Sequence, residues 1–320
     1  MPRSDVGLLL VNIGTPDAPR KAEVRRYLRE FLSDPRVIDT PAIMRWLVLN
    51  LFILPSRPRR SAEAYVKIWT ERGSPLLFHS RDLAAKVQAR VGEAAVVQLA
   101  MRYGSPSIGA ALDSFHAQGI RRLILFPLYP QYSSAATGSS VDAVRAAASR
   151  LRNAPEIHVV PPFYDDRRYI GCFAEAAAGC VQEVEPELVF FSFHGLPERQ
   201  IRKSDRSGAY CLERDDCCAF ASARNPTALA QCYRAQCFTT ARLLAESLGI
   251  AVGRRVVCFQ SRLGRTPWIR PFTDVEVREA ARRGVRRAVI VVPSFVADCL
   301  ETLEEIALRA EADWRAHGGE

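Results

Sequence analysis

Short apolar runs alternate along this chain with longer amphipathic stretches, and this alternation most constrains the fold. The runs are rich in β-branched and aromatic residues, which is typical of strands buried on both faces of a parallel sheet. The predicted strands are Leu8–Ile13, Val96–Met101, Leu123–Leu128, Leu188–Phe193, Val256–Phe259 and Ala288–Val292, and the clearest predicted helices are Arg81–Val91, Val141–Leu151, Phe173–Val184 and Thr239–Leu248. Strands that alternate with helices predict an α/β fold with parallel sheets covered by helices.

The two halves of the chain share an order of motifs. The segment Val96–Pro106 has a counterpart 160 positions later, and Gly119–Pro127 has one 165 positions later. The strand end Asn12–Pro16 is matched by Phe191–Pro197. Three matches in one order predict a duplicated domain.

A length of 320 residues suits two domains of about 150 residues each. Pro161 and Pro162 interrupt the alternation of strands and helices. We therefore expect an N-terminal domain of residues 1–158 and a C-terminal domain of residues 159–320.

Ligands of parallel α/β sheets bind beyond the carboxyl ends of the strands. We therefore choose the residues that follow predicted strands as candidate site residues. His194 follows Phe193, and its imidazole suits proton transfer or metal binding, with a structural loop hydrogen bond as the alternative. Asp298, Glu301 and Glu305 follow the last strand and would share one face of an α-helix. They form either a solvated acidic face or a group that handles a hard cation and protons. For Glu304 we expect a solvated position. No glycine-rich nucleotide motif follows any strand.

The segment Tyr129–Ser140 combines two tyrosines with a hydroxyl-rich predicted helix start. Such helix N-termini bind phosphate or carboxylate groups well, whereas ordinary capping would explain only Ser139 or Ser140. The net charge of +9 comes almost wholly from arginine and also favours anionic small molecules or acidic lipid. We expect no nucleic-acid partner.

Five of the nine cysteines lie within 27 residues. They are Cys211, Cys217, Cys218, Cys232 and Cys237. Thiols gathered so closely bind a metal or iron–sulfur centre or form disulfides. The odd number of cysteines and the lack of a signal-peptide pattern at the first residues favour a reducing, cytoplasmic location. No apolar stretch reaches the roughly 20 residues of a membrane span.

The segment Phe191–Pro197 resembles the characteristic motif of the ferrochelatase family. Tyr129–Ser133, Thr137-Gly138, Pro267-Trp268 and Cys299–Leu303 match further motifs of that family in the same order. The resemblance extends from about Leu8 to Ile306. It implies two Rossmann-like domains that enclose a porphyrin cleft, and a lyase that inserts Fe²⁺ into protoporphyrin IX to give protohaem.

The resemblance also implies roles for individual residues. His194 and Glu301 would be the catalytic pair, acting on opposite faces of the ring and binding the incoming iron. Porphyrin contacts are expected from Tyr65, Arg102, Tyr103, Tyr132, Ser133, Trp268 and Asp298. Ile13 stands where some members carry methionine, at a position that tunes metal choice or ring distortion. Cys299 stands where others carry histidine, which removes a possible second ligand beside Glu301.

Some ferrochelatases carry a [2Fe–2S] cluster, and the shorter members lack the segment of roughly residues 208–232. We therefore expect a cysteine-rich insertion at 208–237 in which four of the five clustered cysteines bind a [2Fe–2S] centre. One of the adjacent Cys217 and Cys218 would be spare. A zinc site and unliganded thiols are the alternatives.

The segment Ile43–Leu54, which arginines follow, resembles the apolar lip of the porphyrin cleft. It predicts peripheral contact with an anionic membrane, with a buried core helix as the alternative. The rival functions are a coproporphyrin III ferrochelatase, a cobalt or nickel chelatase, and a non-catalytic porphyrin- or haem-binding protein. The sequence leaves the oligomeric state open.

Overall fold

A computed structural model describes residues 4–205, 207–214, 216–218, 231–264 and 266–320. The chain divides into two compact units. The first unit comprises Met1–Tyr129, Ser133–Pro161 and Ala297–Leu300, and the second comprises Pro130–Tyr132, Pro162–Val296 and Glu301–Glu320. No helix of the described ranges is both long enough and apolar enough to cross a membrane.

The first unit contains a four-stranded parallel sheet. Its strands are β1 (Val6–Thr15), β2 (Val96–Gly104), β3 (Arg122–Pro127) and β4 (Glu156–Val159), in the order β2-β1-β3-β4. Leu9 of β1 pairs with Leu125 of β3, and both are fully buried. Burial of each such side chain contributes about 1.5–3 kcal/mol, so these central strands form the core of the unit.

Helices cover the sheet of the first unit. They are α1 (Lys21–Ser33), α2 (Ala42–Leu47), α3 (Leu54–Ile68), α4 (Pro75–Val91), α5 (Ile108–Ala117) and α6 (Ser139–Ala148). Two π-helical segments, Val48–Ile53 and Ser134–Gly138, precede α3 and α6, and a 3₁₀ turn covers Gly92–Ala94.

The second unit contains a three-stranded parallel sheet. Its strands are β5 (Leu188–His194), β6 (Arg255–Gln260) and β7 (Ala288–Val291), in the order β6-β5-β7. Phe191 and Phe193 of the central strand are fully buried. In each sheet the first strand lies between the second and the third, which is the arrangement that a duplicated domain predicts.

The helices of the second unit include one long π-helix. The α-helices are α7 (Arg167–Val184), α8 (Glu198–Ser204), α9 (Tyr233–Ser247), α10 (Thr273–Arg282) and α11 (Glu311–Ala316). The π-helix covers Glu301–Ala310, and a 3₁₀ turn covers Val252–Arg254.

The structure confirms the predicted α/β class and places a strand at each of the six predicted runs. It adds β4, Glu156–Val159, which the sequence did not predict. This short edge strand alternates exposed and half-buried residues, so it lacks the continuous apolar run that identified the others.

Candidate active site

His194 is the last residue of β5, at the strand end that the sequence predicted. Its Nδ1 lies 2.6 Å from the carbonyl oxygen of Gly195, and because a carbonyl can only accept, Nδ1 carries the proton. This tautomer leaves the lone pair on Nε2. Nε2 is therefore the nitrogen that can accept a proton or bind a metal ion.

The turn after His194 requires glycine at position 195. The Gly195 amide donates to the carbonyl oxygen of Gln260 at 2.8 Å. A Cβ at Gly195 would lie 2.9 Å from that oxygen and 3.2 Å from the Trp268 ring. The ring centroids of His194 and Trp268 are 6.5 Å apart, and the indole Nε1 donates to the carbonyl of Leu263. Trp268 thus forms an aromatic wall beside the imidazole.

Glu301 is the first residue of the π-helix, and its side chain is half-buried. Its carbonyl oxygen accepts a hydrogen bond of 3.0 Å from Nε2 of Gln260. π-Helices are rare, and they are frequent at functional sites. The position of Glu301 is consistent with a carboxylate that must be held at a defined place.

The prediction that Asp298, Glu301 and Glu305 share one face of an α-helix is wrong in two respects. Asp298 is exposed and precedes the helix, and the helix is of the π type, so α-helical spacing does not apply. The predicted solvated position of Glu304 is also wrong. Glu304 is buried, and it forms an ion pair of 2.8 Å with Arg309.

Gln260 and Ser261, at the end of β6, contact the structure around both His194 and Glu301. Besides its bonds to Gly195 and Glu301, Gln260 accepts a hydrogen bond from Ser192 Oγ at 2.7 Å. Ser261 donates from its amide and its hydroxyl to Glu305. Sequence reasoning missed both residues, although they follow an apolar strand and the rule that selected His194 applies equally to them.

Arg102 and Tyr103, which were predicted to bind porphyrin, belong to a buried network around Asp34 in the first unit. The Asp34 carboxylate accepts hydrogen bonds from Arg102 at 2.6 Å, Tyr103 at 2.9 Å and Ser139 at 2.5 Å. Burial raises the pKa of Tyr103, so its hydroxyl stays protonated and serves as a donor. Tyr103 is fully buried, whereas Arg102 is partly exposed.

The other predicted porphyrin contacts in the first unit are also well anchored. Tyr65 is buried in α3 and packs edge-on against Trp69. Ser133 caps the π-helical segment Ser134–Gly138 by accepting from the amide of Ala136 at 3.1 Å. Ser139, for which ordinary helix capping was the alternative, donates its hydroxyl to Asp34.

Tyr132 belongs to the second unit. Its amide donates to Oε1 of Gln236 at 2.7 Å, and its side chain is partly exposed. Gln236 lies in α9 and is itself buried. This contact fixes the main chain of the tyrosine and leaves its ring at the surface of the unit.

The five clustered cysteines lie within the described residues, and four of them are buried. The Cys211 and Cys232 thiols are hydrogen-bonded, and this bond lowers the pKa of Cys211 and raises the pKa of Cys232 to about 11. Cys232 is also bonded to Cys218, whose sulfur lies 4.0 Å from that of Cys217. Burial raises the pKa of Cys237.

Arg234 lies beside this cysteine group. Its Nη1 is 3.6 Å from the sulfur of Cys217 and 3.4 Å from that of Cys218. Within the described ranges no three Cys, His, Asp or Glu side chains form a ready metal-ligand group. The predicted insertion 208–237 includes residues 219–230, which lie outside the described ranges.

The chain matches known proteins over almost its whole length. The family model described as ferrochelatase covers residues 5–320. The ferrochelatase of Coxiella burnetii (strain Dugway 5J108-111) is 45% identical over 98% of this chain and 86% of the relative. That of Azotobacter vinelandii is 46% identical over 99% and 92%, and that of Legionella pneumophila (strain Corby) is 44% identical over 98% and 91%.

Two parallel sheets flanked by helices, with an imidazole at a strand end and a carboxylate on a π-helix, define a chelatase-type α/β protein. Within that class, the chain belongs to the ferrochelatase family.

Proposed function

We propose that this protein is a ferrochelatase, a lyase that inserts Fe²⁺ into protoporphyrin IX to form protohaem. The reaction exchanges two pyrrole N–H protons for one metal ion. The site must therefore accept protons and hold a cation close to the ring nitrogens. The observation that carries the proposal is the arrangement of His194 and Glu301, since Gln260 contacts both the turn after His194 and the main chain of Glu301.

His194 and Glu301 divide the chemistry in this proposal. The Nε2 lone pair of His194 accepts a pyrrole proton or contacts the iron as it enters, while the Nδ1 bond to Gly195 holds the ring in place. The Glu301 carboxylate is a hard oxygen ligand that can bind Fe²⁺ and accept the second proton. A bent porphyrin exposes its nitrogen lone pairs, so a pocket that binds the bent ring favours the transition state.

The porphyrin contacts that we propose are Tyr65, Arg102, Tyr103, Tyr132, Ser133, Trp268 and Asp298. Trp268 is best supported, since its indole lies beside the imidazole of His194. Because Tyr103 is fully buried, we propose that it acts by holding Asp34 and Arg102.

A concavity in the first unit supports binding of a propionate-bearing ring. Its volume is about 520 Å³, and its lining includes Arg29, Arg45, Trp46 and Asn50. This size falls in the range of small-molecule pockets. The Arg45 guanidinium is bonded to the carbonyls of Ile38 and Thr40, so Arg29 is the cation that we propose for a carboxylate, with the Trp46 indole for the planar apolar ring.

The deciding experiment is anaerobic incubation of the protein with Fe²⁺ and either protoporphyrin IX or coproporphyrin III, followed by the haem absorbance spectrum. Haem from protoporphyrin IX supports the proposal, whereas a strong preference for coproporphyrin III would change the substrate. The His194→Ala variant separates an enzyme from a carrier. Lost metallation with retained porphyrin binding supports the enzyme, and unchanged metallation refutes the role of His194.

We further propose that four of the five clustered cysteines hold a [2Fe–2S] cluster. The support for this proposal is that the thiols of Cys211, Cys232 and Cys218 shift one another's pKa values, and that the sulfur of Cys217 lies 4.0 Å from that of Cys218. The N–H groups of Arg234 face two of these sulfurs and would stabilise ligating thiolates. The cluster would serve a structural or sensory purpose, since the chelation needs no electron transfer.

Peripheral membrane contact is proposed for the apolar segment of the first unit. Ile43, Met44, Trp46, Leu51 and Phe52 are between 53% and 76% exposed, whereas Leu49 and Leu54 are buried, so the segment presents an apolar surface and is anchored by two of its leucines. Exposed apolar side chains next to arginines suit the interface of an anionic membrane. We also propose a cytoplasmic location at the inner membrane face, where membrane contact would serve the delivery of the poorly soluble porphyrin.

The domain division proposed from the sequence is 1–158 and 159–320. Its boundary falls inside β4, before the last residue Val159, whereas the two compact units change over between Pro161 and Pro162. We propose that each domain carries one half of a duplicated fold.

A further inference from the structure

The residue pair Gln260–Ser261 connects the two groups to which the proposed chemistry is assigned. Gln260 is the last residue of β6 and pairs in register with His194, the last residue of β5. We propose that Gln260 and Ser261 are positioning residues that hold Glu301 in a fixed relation to His194. The inference rests on the proposed ferrochelatase function and adds two residues to its machinery.

The main chain and the side chain of Gln260 form hydrogen bonds with different partners. Its carbonyl oxygen accepts from the amide of Gly195 at 2.8 Å, which fixes the turn after His194. Its Oε1 accepts from Ser192 Oγ at 2.7 Å, and its Nε2 donates to the Glu301 carbonyl at 3.0 Å. Because that carbonyl can only accept, the orientation of the Gln260 amide is determined by its partners. Gln260 is 3% exposed, so water does not readily replace these bonds.

Ser261 extends the connection by one helical turn. Its φ is +66°, in the left-handed region that residues other than glycine seldom adopt. In this conformation the amide and the hydroxyl both point at Glu305, with distances of 2.8 Å and 2.5 Å to its two carboxylate oxygens. The strained backbone is thus retained where it directs two donors at one carboxylate.

These contacts hold the π-helix at two places in its first turns. Gln260 binds the main chain of Glu301, and Ser261 binds the side chain of Glu305. A π-helix is less stable than an α-helix, so its start needs bonds from outside. Glu305 consequently acts as an anchor, and the carboxylate of Glu301 is the one presented for chemistry.

Glu305 provides the sharper test. Anchoring needs only a side chain that forms hydrogen bonds with Ser261, whereas proton relay needs an ionisable carboxylate. Glu305→Gln keeps a side chain that can bond to both Ser261 groups but removes the charge. We expect Glu305→Gln to keep kcat within about twofold, and Glu305→Ala to lose about tenfold in kcat with little change in the KM for protoporphyrin IX. If Glu305→Gln is as damaging as Glu305→Ala, the carboxylate takes part in proton transfer and the anchoring role is refuted.

Gln260→Met tests the other contact, since methionine fills similar space without the amide. We expect a loss of about tenfold in kcat, an unchanged dissociation constant for protoporphyrin IX and an altered pH profile of kcat. Cys258→Ala is the matched control, because Cys258 is fully buried two residues earlier on the same strand and its thiol donates to the carbonyl of Phe191. It should lower the melting temperature and leave kcat unchanged.

The outcomes separate this inference from the proposed function. If the wild-type protein forms no haem from Fe²⁺ and protoporphyrin IX, the function itself is refuted. If the wild type is active and Gln260→Met retains its kcat, only the positioning role is refuted. Should Gln260→Met fail to fold, Ser261→Ala takes its place, with the same expected loss in kcat and the same refuting result.

Discussion

The hydroxyl of Tyr233 donates a hydrogen bond of 2.8 Å to the carbonyl oxygen of His194. Tyr233 is buried at the start of α9 and follows Cys232 directly in the chain. Its side chain packs in the same buried cluster as Cys211, Cys232 and Cys237. The cysteine group and the main chain of His194 are therefore one side chain apart.

Replacing Tyr233 by phenylalanine should weaken the fixation of His194. The carbonyl loses a donor in a buried place, at a cost of about 1–2 kcal/mol. We expect kcat to fall about three- to tenfold with porphyrin affinity retained. The measurement is steady-state haem formation together with a thermal melt.

Tyr169→Phe is the matched control for that change. The Tyr169 hydroxyl donates to the carbonyl of Pro293 in the same unit, and the residue is partly buried. Both variants should lose similar stability. An equal fall in kcat for the two would show that the effect of Tyr233 is general destabilisation.

The acid stability of the protein should depend on Asp34. Burial alone would raise the pKa of Asp34, but bonds from Ser139, the Arg36 amide and Tyr103, together with the charge of Arg102, hold that pKa below its usual range. Such a carboxyl contributes stability that is complete above its unfolded pKa of about 4 and is lost as the pH falls through the folded value. Below about pH 4 the wild type should therefore lose this contribution.

Asp34→Asn should reduce the free energy of unfolding by about 2–3 kcal/mol at pH 7, because the Arg102 charge loses its buried partner. The difference from wild type should shrink between about pH 4 and pH 2, as measured by urea unfolding. Asp5→Asn is the control, since Asp5 pairs with Arg122 at the exposed surface. A constant difference across this pH range would contradict the assignment.

The features that could be predicted are those that depend on residues close to one another in the sequence. The apolar strands and the strand-end position of His194 follow from local patterns. The π-helical form of Glu301–Ala310 does not, because apolar spacing over ten residues hardly distinguishes helices with 3.6 residues per turn from wider ones. Glu304 was misplaced for this reason.

The buried polar networks could not be predicted from the sequence either, because they join residues that are far apart in the chain. Asp34 meets Arg102 across 68 positions, and Gln260 meets Glu301 across 41. Neither Asp34 nor Gln260 stands in a motif that marks it as buried. Only the packing of the elements shows that these polar side chains satisfy one another.

Gly195→Ala should disturb the turn after His194. A Cβ there would meet the Gln260 carbonyl at 2.9 Å and Trp268 at 3.2 Å, so one of them must move. We expect a loss of about 1–3 kcal/mol in unfolding free energy and a lower kcat. Gly171→Ala in α7, where a Cβ meets nothing within 4 Å, should instead stabilise the protein by about 0.5–1 kcal/mol. Unchanged stability and kcat in Gly195→Ala would contradict the tight packing of this turn.

The cysteine group should give the anaerobically purified protein visible absorbance and, after reduction, an electron paramagnetic resonance signal. Cys232→Ser should abolish both signals, whereas Cys172→Ser should keep them because Cys172 is exposed on α7. Serine variants of Cys217 and Cys218 should differ, with one of them retaining the cluster. A colourless wild-type protein would rule out the cluster. If elemental analysis of that protein finds one zinc ion per chain, the cysteine group is a zinc site instead.

Membrane contact should depend on the exposed apolar segment of the first unit. Trp46 is 60% exposed, and its replacement by aspartate adds a charge that opposes insertion among lipid chains. We expect Trp46→Asp to bind vesicles of anionic phospholipid about tenfold more weakly than wild type in a sedimentation assay. Val252→Asp is the control, because Val252 is 74% exposed in the second unit and lies outside this segment. Equal partition of wild type and Trp46→Asp would refute the proposed contact, since the exposed indole would then add nothing to binding.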